Sequence, residues 1–337
     1  MTVLMLFLTR KMPKEKFLFY VNIYSNVKPI VTIVLITVTL FMFGNRANVS
    51  KAVFYIEVFL CYFCVVTVDS YLIFRRIKRI RLLEMTTKEY FIKYAKNVLI
   101  SIICYLVLGQ IGHVLMNADD CVFIGCYLLI MWLFQFITPY FLKITCDASS
   151  TEVVEIKEKL MNTCQVKSKY RLYSYEGEKS KSANAFVVGT SINWHIFISD
   201  YYISNASQEE VLALLCHECG HIKKHDIEKR MLFINVAIAG VFFVANLLDC
   251  VEVGPLLSIT SLLMYALVMV LIYKRIQQKQ ELEADRFAVS MIQDENVFIN
   301  ALNRLYALND MMRKNGRFWA ALSTHPQLQR RINNVSN

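Results

Sequence analysis

The chain carries two histidines four residues apart with a glutamate between them, in the run His217-Glu218-Cys219-Gly220-His221. Four residues make roughly one helical turn, so on a helix both imidazoles leave the same face. Two imidazoles at that spacing bind one Zn²⁺, and Glu218 beside them is placed to polarise a zinc-bound water. A catalytic zinc usually takes three protein ligands and leaves one position open. The third ligand is expected beyond the next apolar stretch, where Glu281-Leu282-Glu283-Ala284-Asp285-Arg286-Phe287-Ala288 reads as a helix. Glu281 and Asp285 fall one turn apart on one face. Glu281 then completes the metal site, and Asp285 turns a ligand histidine through its free ring N–H. His225 lies a turn beyond His221 and reads as a surface residue. Cys216 and Cys219, which flank His217, read as small helix-packing residues in preference to metal ligands.

The elements that must hold these residues are legible nearby. Ser207 is followed three residues later by Glu210, a capping box that starts a helix just before the apolar run Val211 to Leu215. Apolar residues Val153, Val154, Ile156, Leu160 and Met161 give Thr151 to Cys164 a helical period. Tyr170 to Tyr175, Ala185 to Val188 and Trp194 to Ser199 read as strands.

Apolar residues make up 56% of the 337-residue chain, above the roughly 45–50% of soluble domains. The excess is gathered in six spans, about 29–44, 53–74, 97–116, 121–142, 231–249 and 254–273, most of them long enough for a tilted membrane helix. Lysine and arginine crowd the N-terminal segment and the loop 75–96, whereas loops 117–120 and 250–253 have neither. By the positive-inside rule, six spans put every basic loop on the cytoplasmic face. The net charge of +10 therefore points to a bilayer and excludes nucleic acid as a partner. The expected organisation is a membrane domain of about four spans over 1–142, a first protease segment over 143–230, a transmembrane hairpin over 231–273 and a second protease segment over 274–337. No cleavable signal peptide is expected at the N-terminus. The ten cysteines follow no disulfide framework, so the soluble parts are expected to be reduced.

Four motifs together resemble the membrane gluzincin peptidases typified by HtpX and the CAAX prenyl proteases. They are Ala183-Asn184-Ala185-Phe186 with Gly189, His217 to His221, Glu281 to Asp285, and Thr324-His325-Pro326 with Arg331-Ile332. The resemblance implies a multi-pass α-helical membrane protein with an α+β gluzincin (zincin) metalloprotease domain. It implies one Zn²⁺ per chain, held by His217, His221 and Glu281, with Glu218 as catalytic base and Asp285 supporting a ligand. It implies that His325 and Arg331 face the site and stabilise the reacting carbonyl. It also implies that Asn184 and Ala185 lie on an edge strand that pairs with an extended polypeptide substrate. Four spans before the metal motif and two after it match neither group well.

The function expected from these readings is that of a membrane-embedded zinc endopeptidase. It would cut membrane-associated or cytosolic-side polypeptides, in the plasma membrane of a bacterium or an ER-type membrane of a eukaryote. Two other readings stand beside it. One is a sensor-type membrane protease that cleaves a repressor, for which the chain has no large extracytoplasmic sensor domain. The other is a non-enzymatic membrane scaffold, which an intact Glu218 disfavours.

Overall fold

The computed structural model describes residues 9, 12–21, 24, 51–115, 120–150, 153–164, 169–251, 254–313, 316, 320, 323 and 325–336. The expected span at 29–44 and Thr324 of the Thr-His-Pro motif lie outside the described residues. Contacts divide the chain into two compact units, Met1–Met85 with Asn309–Met312, and Thr86–Leu308 with Arg313–Asn337.

The first unit contains the long helix α1 (Lys51–Arg81), whose last turn carries Lys78, Arg79 and Arg81. Cations there satisfy the negative end of the helix dipole. Arg76 lies over the Phe17 ring, 4.1 Å from its centroid. Asp310 receives both Lys14, at 2.9 Å, and Arg81, at 3.1 Å.

The second unit holds α2 (Thr87–Leu115), α3 (Asp120–Thr145), α4 (Val154–Cys164), β1 (Tyr170–Tyr175), β2 (Ala185–Val188), β3 (Trp194–Ser199) and α5 (Asp200–Asn205). It continues through α6 (Gln208–Lys224), α7 (Asp226–Cys250), α8 (Pro255–Ile292), α9 (Glu295–Leu308) and α10 (Leu328–Val335). The three strands have the bounds expected from the sequence. They form one sheet in the order β1-β3-β2, with β1 parallel and β2 antiparallel to β3. Central β3 is buried at all six positions, so its unbroken Trp-His-Ile-Phe-Ile-Ser run suits two covered faces. One face carries the stacked rings of Phe186, Phe197 and Tyr173, with centroids 5.2 and 5.3 Å apart. Gly189 between β2 and β3 has φ +109°, and a Cβ there would sit 2.0 Å from the Asn193 carbonyl oxygen. Only glycine fits that turn.

The core lies between the sheet and the helices, where Leu160, Leu215, Ile222, Phe298 and Leu302 are fully buried. Each contributes about 1.5–3 kcal/mol by leaving water. Helix α6 starts at the expected capping box. The Ser207 hydroxyl accepts the Glu210 N–H at 3.2 Å, and the Glu210 carboxylate accepts the Ser207 N–H at 2.9 Å.

The five expected spans within the described residues coincide with α1, α2, α3, α7 and α8. Among the described residues two stretches, Leu128–Thr145 and Leu257–Ile292, lie on helices long and apolar enough to cross a membrane, by length and composition. Helices α7 and α8 pair, and the Tyr265 hydroxyl donates to the Ala237 carbonyl at 3.0 Å. Their outer faces expose Leu232, Val236, Phe243, Leu263, Met264 and Leu267. The boundary drawn at 273/274 falls inside α8, which continues without a break through Glu281 and Asp285 to Ile292.

Helices α6 and α8 meet closely at Gly220. A Cβ on Gly220 would lie 3.1 Å from Ala284 Cα, 3.2 Å from Phe287 Cδ1 and 3.3 Å from Ala284 Cβ. The nearest of those three atoms is backbone and cannot swing away. Gly220→Val is therefore expected to cost about 1–3 kcal/mol by overpacking and to spread the helices that carry His217, His221 and Glu281. Denaturant unfolding and zinc content measured on the same preparation check this. Wild-type values in both would show that the helix crossing tolerates a side chain.

Candidate metal centre

His217, Glu218 and His221 are all buried on α6, and Glu281 is buried on α8. The imidazole rings of His217 and His221 stand nearly perpendicular, at 87°, with centroids 4.9 Å apart. The Glu281 carboxylate lies across both, with Oε2 3.5 Å from His217 Nε2 and Oε1 3.4 Å from His221 Nε2. Zinc ligands stand at about 2.0–2.1 Å in a tetrahedron, which places them roughly 3.4 Å from one another. The donor set fits that spacing, and its ligand atoms all lie within 4.8 Å of one another.

The ring nitrogens turned away from Glu281 are also held. His221 Nδ1 is 2.8 Å from Asp226 Oδ2. His217 Nδ1 is 2.9 Å from Asp285 Oδ1, although the ring N–H is not aimed squarely at that oxygen. Both contacts leave Nε2 as the atom presented to a metal. Asp285 is in turn gripped by a two-pronged fork from buried Arg331, with Nε at 2.9 Å and Nη2 at 2.6 Å. Burial alone would lower the pKa of His217, but Asp285 and Glu281 outweigh it and push the value up to about 10. His221 is likewise raised against its burial, by Asp226 and Glu281. The pocket thus favours positive charge at both imidazoles, which a divalent cation supplies in place of protons.

A profile of peptidase family M48 matches residues 147–337. The chain belongs to that family. M48 peptidases are zinc-dependent, and the His217, His221 and Glu281 group is one that could hold the metal. Among curated relatives, the chain is 28% identical over 193 residues to a protein named Protease HtpX homolog from Streptococcus pyogenes serotype M28 (strain MGAS6180). That match takes in 46% of this chain and spans 64% of the relative's length. Among solved structures, the crystal structure of S. mikatae Ste24p superposes with a TM-score of 0.68, at 17% identity, over 98% of this chain and 88% of that one. At that identity the likeness is one of fold. The resemblance to HtpX-like and CAAX prenyl protease-type peptidases agrees with all three findings.

Within this M48 chain two further sequence-expected residues, His325 and Arg331, approach Glu281. His325 Nδ1 lies 2.7 Å from Glu281 Oε2, and its side chain is half exposed. Arg331 Nη2 is 4.0 Å from the same Glu281 oxygen, but its fork is spent on Asp285 and its side chain is buried. Ala185 opens β2, an edge strand with β3 as its one neighbour among the described residues. Asn184 just before it exchanges bonds with Ser199, its N–H donating to Oγ at 3.2 Å and its carbonyl accepting the Ser199 N–H at 2.9 Å. His225 caps α6 in a left-handed conformation, φ 55°, and pairs with Glu228 at 2.7 Å on the surface.

Two supporting residues escaped the sequence reading. Asp226 reaches back to His221 because left-handed His225 turns the chain sharply between α6 and α7. An acid five residues past the second histidine, opening an apolar helix, is the signal that was available. Gln278 is buried on α8 and donates to the Ala320 and Ser323 carbonyls at 2.7 and 3.1 Å, tethering the segment that leads to His325.

Two outcomes follow for metal binding. The purified chain is expected to hold about one zinc, lost in His221→Ala. Asp226→Asn, which keeps shape but removes the charge on His221, is expected to weaken zinc affinity about 10–100-fold. Competition with a chelator measures this, and unchanged affinity in Asp226→Asn would remove that residue from the site.

Proposed function

We propose that the chain is a multi-pass membrane zinc endopeptidase that hydrolyses peptide bonds of membrane-associated or cytosolic-side polypeptides. The observation that carries the reading is the Glu281 carboxylate seated at ligand spacing from both imidazoles, with Glu218 on the same turn of α6. When bound, zinc would polarise the scissile carbonyl and lower the pKa of a coordinated water to about 7. Glu218 takes the proton of the attacking water and delivers it to the leaving amine nitrogen. His325 bonds Glu281 through Nδ1 and keeps its Nε2 edge for the substrate carbonyl oxygen, where charge develops. Arg331 supports the same step from behind, by fixing Asp285 and adding a positive charge near Glu281. An extended substrate pairs with the open edge of β2 beside Asn184 and Ala185, which reads backbone with little demand on sequence.

The segments 143–230 and 274–337 supply one metal site, while the hairpin between them is apolar on its outer faces. We place both segments on the cytoplasmic side, with α7 and α8 entering the bilayer and returning. Cysteines introduced at exposed Glu178 and Lys279 are expected to react with an impermeant reagent only after the cell is permeabilised. Labelling of either in intact cells would reverse the orientation.

Glu218→Gln is expected to keep zinc and fold while peptide cleavage falls about 10²–10⁴-fold. Glu281→Gln is expected to lose the metal itself. Zinc content and cleavage on the same preparations separate the roles. A Glu218→Gln protein that cleaves at the wild-type rate would end the assignment of Glu218 as base. Comparing the peptides that accumulate in membranes holding this variant with those of the wild type identifies the substrate.

A further inference from the structure

Behind the metal-binding face of α6 lies a group of three thiols that the proposed chemistry does not use. Cys164 ends α4, and Cys216 and Cys219 sit three residues apart on one side of α6. All three are free and buried, at 2%, 0% and 0% exposure. Cys164 Sγ is 2.6 Å from Cys216 Sγ, about half an ångström longer than a disulfide bond of roughly 2.05 Å. Cys219 is a second thiol that bears on Cys164. The Tyr170 hydroxyl, buried without a hydrogen-bond partner, faces the same cluster. Simple packing of small residues asks only for van der Waals contact. Two sulfurs this close, with a third bearing on the same residue, are arranged for bond formation.

We propose that Cys164 and Cys216 form a reversible dithiol–disulfide pair that ties the metal-binding helix covalently to α4, with Cys219 as the alternative partner of Cys164. The oxidant is a peroxide small enough to enter the core. Hydrogen peroxide oxidises one thiol to a sulfenic acid as its O–O bond breaks and one water leaves. The second sulfur then displaces the hydroxyl, which departs as a second water, and the S–S bond forms. Two thiols and one peroxide give one disulfide and two waters, and a dithiol reductant restores the thiols. The bridge would link residues 52 apart in sequence, closing a loop that contains the whole sheet and the start of α6. In a cytosol kept reducing by glutathione the pair stays open. Oxidising conditions would close it and strengthen the fold around the metal site, because a cross-link restricts the unfolded chain.

The test uses the full-length chain in detergent and does not depend on its cutting a peptide. The protein is treated with hydrogen peroxide, its remaining thiols are alkylated in denaturant, and it is digested without reductant for mass spectrometry. The peptide bearing Cys164 is expected to be joined to the peptide bearing Cys216 and Cys219, and dithiothreitol is expected to release it. Cys219→Ser should keep the link, Cys216→Ser should move it to Cys219, and Cys164→Ser should abolish it. The oxidised wild type should also unfold at a temperature higher by roughly 5–10 °C than the reduced one. Recovery of all three cysteines as alkylated thiols after peroxide treatment would overturn the proposal. So would a link that persists in Cys164→Ser.

Discussion

The geometry of the site depends on one contact, the close crossing of α6 and α8 at Gly220 and Ala284. The crossing brings a carboxylate 60 residues along the chain to within 3.4–3.5 Å of two imidazoles. Neither helix could do this with a larger side chain at the contact, because the backbone of Ala284 lies only 3.1 Å from where a Cβ would project. Close packing also keeps water from the carboxylates, which strengthens every charge interaction among them. The burial of Glu281, Asp285, Asp226, Arg331 and two histidines would be costly for any of them alone. Each has a partner of opposite charge or a hydrogen bond within 3.5 Å, so the group stands or falls together.

The parts of this arrangement that were legible in the sequence are those whose signal is local. His217 to His221 announces itself by one-turn spacing, the capping box by the Ser207 and Glu210 pair, and the strands by runs of aromatic and branched residues between polar turns. Glu281 and Asp285 could be chosen because two acids one turn apart on a helix have few other uses beside a zinc motif. What stayed hidden was set by chain geometry or by long-range contact. Asp226 becomes a partner of His221 only because His225 adopts a left-handed conformation that its residue type does not demand. The Arg331 fork on Asp285 joins residues 46 apart, and no periodicity encodes such a pairing.

Helix α8 shows a different kind of blindness. Hydropathy marks a change at about residue 273, where Tyr273 gives way to Lys274, Arg275 and a run of glutamines. That change concerns which solvent the side chains prefer. It does not end the helix, because the stretch from Lys274 to Gln280 has no glycine or proline to break it. Polarity and secondary structure are separate signals, and one unbroken helix runs across the boundary expected between hairpin and protease segment.

The continuity of α8 makes the Glu281 carboxylate the end of a lever. From Tyr273 to Glu281 the helix rises about 12 Å without a joint. A tilt of only about 5° about Tyr273 moves the Glu281 end by about 1 Å, enough to cost on the order of 100-fold in rate at a catalytic centre. Asp226, on the first turn of α7, would feel the same motion through the other arm of the hairpin. A hairpin seated in lipid tilts to match the thickness of the hydrocarbon around it. On the membrane placement proposed above, bilayer thickness would act on the spacing of Glu281 from His217 and His221, and the same chain would work at different rates in thin and thick membranes.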